Sequence, residues 1–163
     1  FSVDGGSYSP VSDHPYVSWG TLAKPFALHG IPCAAGHFEI SDIRSVTCPL
    51  AHDAVLFGIP LRGGAKIVAN VSRYAKPSIR SGFLGQPCTY FGIDWPIGTK
   101  IEDAGSPGIT AGILQGRQPG SVMFTLPEGA TRTIAGRIVR AGIPIPFDDG
   151  KPDLSMLDIF LKN

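Results

Sequence analysis

Charge is scarce in this chain. Only 17% of its 163 residues are Asp, Glu, Lys or Arg, and 14 basic against 13 acidic side chains leave a formal net charge of +1. No cationic surplus exists to neutralise a phosphate backbone or an acidic membrane surface, so nucleic acid is not an expected partner. Long apolar runs are missing too. The longest near the middle, "AVLFGIPL" from Ala54 to Leu61, falls far short of the roughly 20 residues a spanning helix needs, and no transmembrane segment is expected. Helical windows are rare, because Pro or Gly interrupts most stretches before three turns could form. The exception is the tail "PDLSMLDIFLKN", where Asp153 can cap and Leu154, Leu157, Ile159 and Leu161 are apolar. It reads as a short terminal helix or a closing strand. Cysteine is sparse: Cys33, Cys48 and Cys88 permit one disulfide and leave a thiol over. The chain opens on Phe1 with neither a methionine nor a basic-then-apolar leader, which fits a mature exported protein or a trimmed one.

What the chain has is apolar side chains and turn residues. Hydrophobic residues make up 43%, with 21 Gly and 15 Pro, which describes a folded, turn-dense chain rather than a disordered one. Its length suits one body with a proper core, so residues 1–163 are expected to form a single β-rich domain. Within it, 1–20, "FSVDGGSYSPVSDHPYVSWG", reads as an irregular surface segment, and 21–163 as the body.

The body repeats itself. "GIPCAAGHFEI" from Gly30, "GIPLRGGAKI" from Gly58 and "GIDWPIGTKI" from Gly92 each carry a second Gly six residues later, at Gly36, Gly64 and Gly98. Each closes on an Ile, at Ile40, Ile67 and Ile101. Eight positions before each first Gly stands an aliphatic residue followed by a small one, at Leu22-Ala23, Leu50-Ala51 and Leu84-Gly85. Ile134-Ala135 before Gly142 marks a fourth copy, and "FTLPEGATRTI" from Phe124 a degenerate one. Proline fixes φ at a strand exit and glycine supplies the positive φ that closes a turn, so each copy reads as strand, turn, strand. Residues 51–59 are apolar on both faces of an extended chain, the pattern of a strand covered on both sides. The expected fold is all-β: repeated hairpins in a short solenoid-like stack or a closed sandwich or barrel, with the short C-terminal helix as an option.

The run "GIPCAAGHFEI … SVTCPLAHDAVLFGIPLRGGAKI" resembles the degenerate, MORN-like turn repeats of bacterial cell-envelope proteins, in which GIPC-x-AG-type turns alternate with Cys-x-Leu-Ala strand starts. The likeness covers 22–101. It implies a structural repeat and brings no catalytic residue with it.

Candidate chemistry centres on Cys33, His37, Cys48 and His52, two thiols and two imidazoles of the types zinc prefers. Neighbours four apart on an extended chain lie about 13 Å from each other, so a site needs the turn to gather them. The competing readings are a Cys33–Cys48 disulfide or two small buried hydrophobes. A Cys-His hydrolase would draw on the same residues, oriented by Asp42 or Asp53. None of the standard nucleophile-elbow, zinc-protease, phosphate-loop or dinucleotide motifs occurs, so no catalytic residue is assigned and an enzyme is the lesser expectation. The acidic pairs Glu102-Asp103 and Asp148-Asp149 fall in Gly/Pro-rich stretches and read as solvated turns, with "DDGKPD" a weak calcium candidate. Tyr8, Tyr16, Trp19 and Trp95 are candidate contact residues, the last because it stands where the repeat has Pro at a turn.

The sequence thus points to an exported, non-catalytic scaffold or binding subunit that meets a protein partner or further copies of itself. A carrier of a small apolar or glycan ligand is the alternative, with a Cys/His hydrolase or metal-binding protein third.

Overall fold

The computed structural model describes residues 3–7, 18–41, 44–72, 76–104 and 108–163, with the backbone alone for 3–7 and 18. Strands β1 (Val3–Ser7) and β2 (Ser18–Leu22) open a long sheet, and a small hairpin of β3 (Phe26–Leu28) and β4 (Ile31–Cys33) intervenes before β5 (Gly36–Ile40). The same order follows in β6 (Ser45–Pro49), the hairpin β7 (Ala54–Leu56) and β8 (Ile59–Leu61), and β9 (Lys66–Asn70). It follows again in β10 (Ser78–Phe83), the hairpin β11 (Cys88–Tyr90) and β12 (Ile93–Trp95), and β13 (Lys100–Asp103). After the one-turn helix α1 (Ala111–Leu114) come β14 (Ser121–Thr125), the hairpin β15 (Thr131–Ile134) and β16 (Arg137–Arg140), and β17 (Pro144–Asp148). Strand β18 (Lys151–Pro152) and helix α2 (Leu154–Leu161) end the chain. The fold is mostly β, antiparallel, with a short C-terminal helix. Ten strands form one sheet in the order β1-β2-β5-β6-β9-β10-β13-β14-β17-β18, and each small hairpin pairs within itself.

Every small hairpin turns on two residues with positive φ, His29-Gly30, Phe57-Gly58, Phe91-Gly92 and Ala135-Gly136. That geometry matches the right-handed twist of the flanking strands, and glycine takes it without a Cβ clash. The first three are the Gly-Ile turns of the sequence. The fourth is not the one expected: Gly142 follows β16, and the hairpin turn lies six residues earlier at Gly136.

The sheet buries one face. Gly20, Phe38, Cys48, Ile67, Gly82, Ile101, Phe124 and Ile145 stand in register as one buried row. Phe38 therefore occupies the place in β5 that Ile67 and Ile101 hold in β9 and β13. The hairpins cover this row. Leu28, Ile31, Cys33, Ile59, Leu61 and Trp95 are buried, as are Ile134 and Val139 of the last hairpin. A hairpin laid on a sheet buries only its inner side. The 51–59 run is accordingly not a strand covered on both faces: the turn at Phe57-Gly58 divides it, and Val55 remains 69% exposed. The N-terminal stretch read as irregular carries β1 and the start of β2, paired antiparallel with a bulge.

The row of hairpins meets the sheet at three equivalent junctions. The residue three after each hairpin glycine reaches the strand that opens the following unit, two positions before the Leu (Leu50, Leu84 or Leu126) that follows that strand. Cys33 is bonded to Cys48 as a disulfide with a Cα–Cα distance of 5.8 Å. Leu61 lies over Gly82, so closely that an added Cβ would meet Leu61 Cδ2 at 3.0 Å. Trp95 stacks on Phe124 with centroids 4.1 Å apart and planes 4° from parallel. One position is filled by a covalent bond, a large-on-small fit and an aromatic stack.

Candidate functional site

The four groups nominated for metal or nucleophilic chemistry do not converge. Cys33 and Cys48 are fully buried and joined to each other, and a disulfide sulfur is not the thiolate that zinc or a nucleophilic attack requires. His37 stands on β5 facing away from the hairpins, its Nε2 3.1 Å from Glu39 Oε1. His52 lies in the loop before β7, its Nδ1 2.9 Å from the Asp53 carbonyl. The Asp53 carboxylate accepts the Gly63 N–H at 2.7 Å, which ties that loop across to the far side of the β7–β8 hairpin. Asp42 lies outside the described residues. Among the described residues no three His, Cys, Asp or Glu side chains gather as ligands for one ion.

The acidic pairs also have structural bonds. Asp148 accepts the Ser121 hydroxyl at 2.7 Å, Asp149 accepts the Gly120 N–H at 2.9 Å, and Asp103 pairs with Arg80 at 3.4 Å. Asp153 caps α2 through the Met156 N–H and accepts the Ser155 hydroxyl. These bonds hold its carboxyl below the usual range, the Met156 N–H foremost. Arg137 grips Asp158 of α2 through two bonds of 2.9 and 3.1 Å, which lowers the Asp158 pKa and anchors the helix to the last hairpin.

Of the aromatic candidates, Tyr8 and Tyr16 lie outside the described residues. Trp19 is 51% exposed on the side of β2 away from the hairpins, directly across from Glu39. Trp95 is not a contact residue at the surface: it is fully buried, its indole N–H donates to the Tyr90 carbonyl at 3.1 Å, and its ring lies on Phe124. The residue in the proline position of the turn is Asp94, one earlier, so Trp95 takes the inward place of Cys33 and Leu61. Phe91 and Phe147 complete this aromatic cluster, stacked at 5.0 Å. Burial beside Cys88 raises the Tyr90 pKa well above the phenol value, and burial with the nearby Arg44 charge lowers that of His29.

Among the described residues, two surfaces remain open. The outward sides of the hairpins present the cross-strand pairs Val55–Pro60 and Thr133–Ile138, with Val55 69% and Ile138 68% exposed. The sheet face opposite the hairpins carries Trp19, His37, Glu39 and Lys66, all exposed. Neither surface stood out in the sequence. Alternation shows which residues share a side of a strand, but not which side is covered.

Comparison with protein-family models, with curated proteins and with solved structures returns no match. No helix among the described residues is long and apolar enough to cross a membrane.

Proposed function

We propose that this chain is a non-catalytic scaffold or binding subunit of an exported assembly, a short stack of like hairpins of the kind its MORN-like turns suggest. One observation carries the reading. Cys33 and Cys48 are joined to each other and the Asp53 and Asp148 carboxylates are held in structural hydrogen bonds, whereas the outward sides of the hairpins leave Val55 and Ile138 open to solvent. Exposed apolar side chains along a row of rigid hairpins offer contact area at little entropic cost. The Cys33–Cys48 disulfide favours an oxidising compartment over a reducing one.

The test is affinity capture from the native source with the unaltered chain and with Val55→Asp and Ile138→Asp. A defined partner held by the unaltered chain and lost with either variant is the expected result. Retention of all captured protein by both variants overturns the reading. A glycan-binding module is the second reading, favoured by Trp19 on an open sheet face with the polar Glu39 and His37 beside it. Native mass spectrometry against a sugar panel, with Trp19→Ala as control, decides it.

A further inference from the structure

The sheet face opposite the hairpins orders its charges in two lines. The first line crosses the strands through Thr21, His37, Pro49, Lys66, Phe83 and Lys100. The second runs beside it, one pleat away on the same face, through Trp19, Glu39, Thr47, Val68, Ser81 and Glu102. Basic and imidazole groups occupy the first line and carboxylates the second. The pairs His37–Glu39, at 3.1 Å, and Lys100–Glu102, at 3.6 Å, join the lines. Between the charges Val68 and Phe83 are half-buried and outward.

We propose that this face binds a second copy of the chain, sheet against sheet. The assignment rests on the reading of the chain as an assembly subunit and names its partner. A two-fold axis parallel to the lines sets the basic line of each copy over the acidic line of the other, so that Lys100 meets the partner's Glu102 and His37 meets the partner's Glu39. Isologous contact of this kind requires a self-complementary surface, and two opposite lines on one face supply it. An acidic or a basic partner would instead face one repelling line whichever way it lay. Val68, Phe83 and the aliphatic stem of Lys66 give the contact its apolar part, as in sheets packed face to face.

Sedimentation equilibrium of the full chain tests this. The unaltered protein is expected to form a dimer of two 17.2 kDa chains. The dimer weakens as salt rises from about 0.01 to about 1 M, which shortens the screening length from roughly 30 to roughly 3 Å. Lys100→Glu is expected to weaken the dimer about tenfold, a change of about 1.4 kcal/mol. Adding Glu102→Lys to it restores association, because the lines then exchange sign at that strand and remain complementary. Lys100 and Glu102 have 38% and 31% side-chain exposure, and the double variant keeps their ion pair, so a folded protein is expected and circular dichroism checks it. A monomer at every concentration overturns the inference. So does a dimer indifferent to Lys100→Glu, or a loss that the second change fails to restore. The assembly reading survives any of these and falls only on the Val55 and Ile138 variants.

Discussion

The first and third junctions between hairpins and sheet occupy equivalent places yet hold by different means. At the first, the Ala34 N–H donates to the Pro49 carbonyl at 2.8 Å and the Ala51 N–H to the Pro32 carbonyl at 2.7 Å, around the disulfide. The second keeps the same backbone pair, Arg62 to Phe83 and Gly85 to Pro60, at 2.8 and 3.1 Å. At the third, the corresponding donors are Pro96 and Pro127, which have no N–H to give. Of the two carbonyls left over, those of Thr125 and Asp94, the Asp94 carbonyl accepts the Arg132 Nε instead, at 2.7 Å, and the Trp95–Phe124 stack supplies the contact. Sequence that removes the backbone bridge is matched by side chains that replace it. The fold therefore asks for a filled junction and leaves the chemistry open.

The largest expected effect comes from emptying the third junction. Trp95→Ala removes a fully buried indole from between Phe124 and the hairpin, and a destabilisation of about 3–5 kcal/mol is expected by denaturant titration. A loss under about 1 kcal/mol would mean that Arg132 and the surrounding rings hold this junction without the stack. Breaking the first junction comes next. The disulfide closes a sequence separation of 15, and Cys33→Ala with Cys48→Ala is expected to cost about 3 kcal/mol. Equivalence is tested more sharply by Cys33→Leu with Cys48→Gly, which writes the Leu61–Gly82 fit into the first junction. This pair is expected to be the more stable of the two double variants. If it is the less stable, the junctions share a place but not a shape.

Much of this was legible in the sequence. The turns at Gly30, Gly58 and Gly92 announce themselves because a two-residue hairpin with positive φ needs glycine, and the Gly six residues on marks the return to the sheet. The fourth unit was misaligned because "GIPIP" at Gly142 copies the wording of the earlier turns. The spacing was the better guide: Gly136 to Gly142 is again six residues, and Ile145 falls nine after Gly136 as Ile67 and Ile101 fall nine after theirs. Trp95 was misplaced by one position for the same reason, since Asp94, not Trp95, replaces the proline. The Cys33–Cys48 bond was one of the competing readings of these residues, beside a zinc or Cys/His site and two buried hydrophobes, because it depends on which strand follows which hairpin in space. The charge lines on the outer face were out of reach, as they exist only once strands distant in sequence stand in register.

After the last hairpin the chain adds β17 and the two-residue β18 to the sheet, and α2 follows at its end. Arg137 holds it through Asp158, whose carboxyl the guanidinium keeps below the ordinary carboxylate range. A depressed carboxylate contributes stability that is present above its unfolded pKa, about 3.9, and is lost as pH falls through the lower folded value. Acid is therefore expected to loosen this end of the chain first. Hydrogen exchange of the α2 amides below about pH 4 should quicken ahead of the β4 and β6 amides, whose junction is covalent. Asp158→Asn, which cannot carry the charge, should quicken exchange of the α2 amides already at neutral pH and remove much of the acid effect. Simultaneous loosening of both ends would show that the pair does not set the local order.

The smallest effect bears most directly on why the third junction differs. Pro127→Ala restores an N–H at the place where Ala51 and Gly85 donate to the preceding hairpin. A new hydrogen bond to the Asp94 carbonyl is worth about 1 kcal/mol, and losing the rigid ring costs roughly 0.4–1 kcal/mol through the unfolded chain. The two nearly cancel, so the melting temperature is a poor readout. Exchange of the introduced amide is a good one, since the carbonyl has a second lone pair beside the one that Arg132 engages. Protection comparable to the Ala51 and Gly85 amides would show that the junction keeps the common geometry and lacks only the donor. Rapid exchange would show that the Trp95–Phe124 stack has moved hairpin and strand apart, and that the side chains set this junction's geometry rather than fill it.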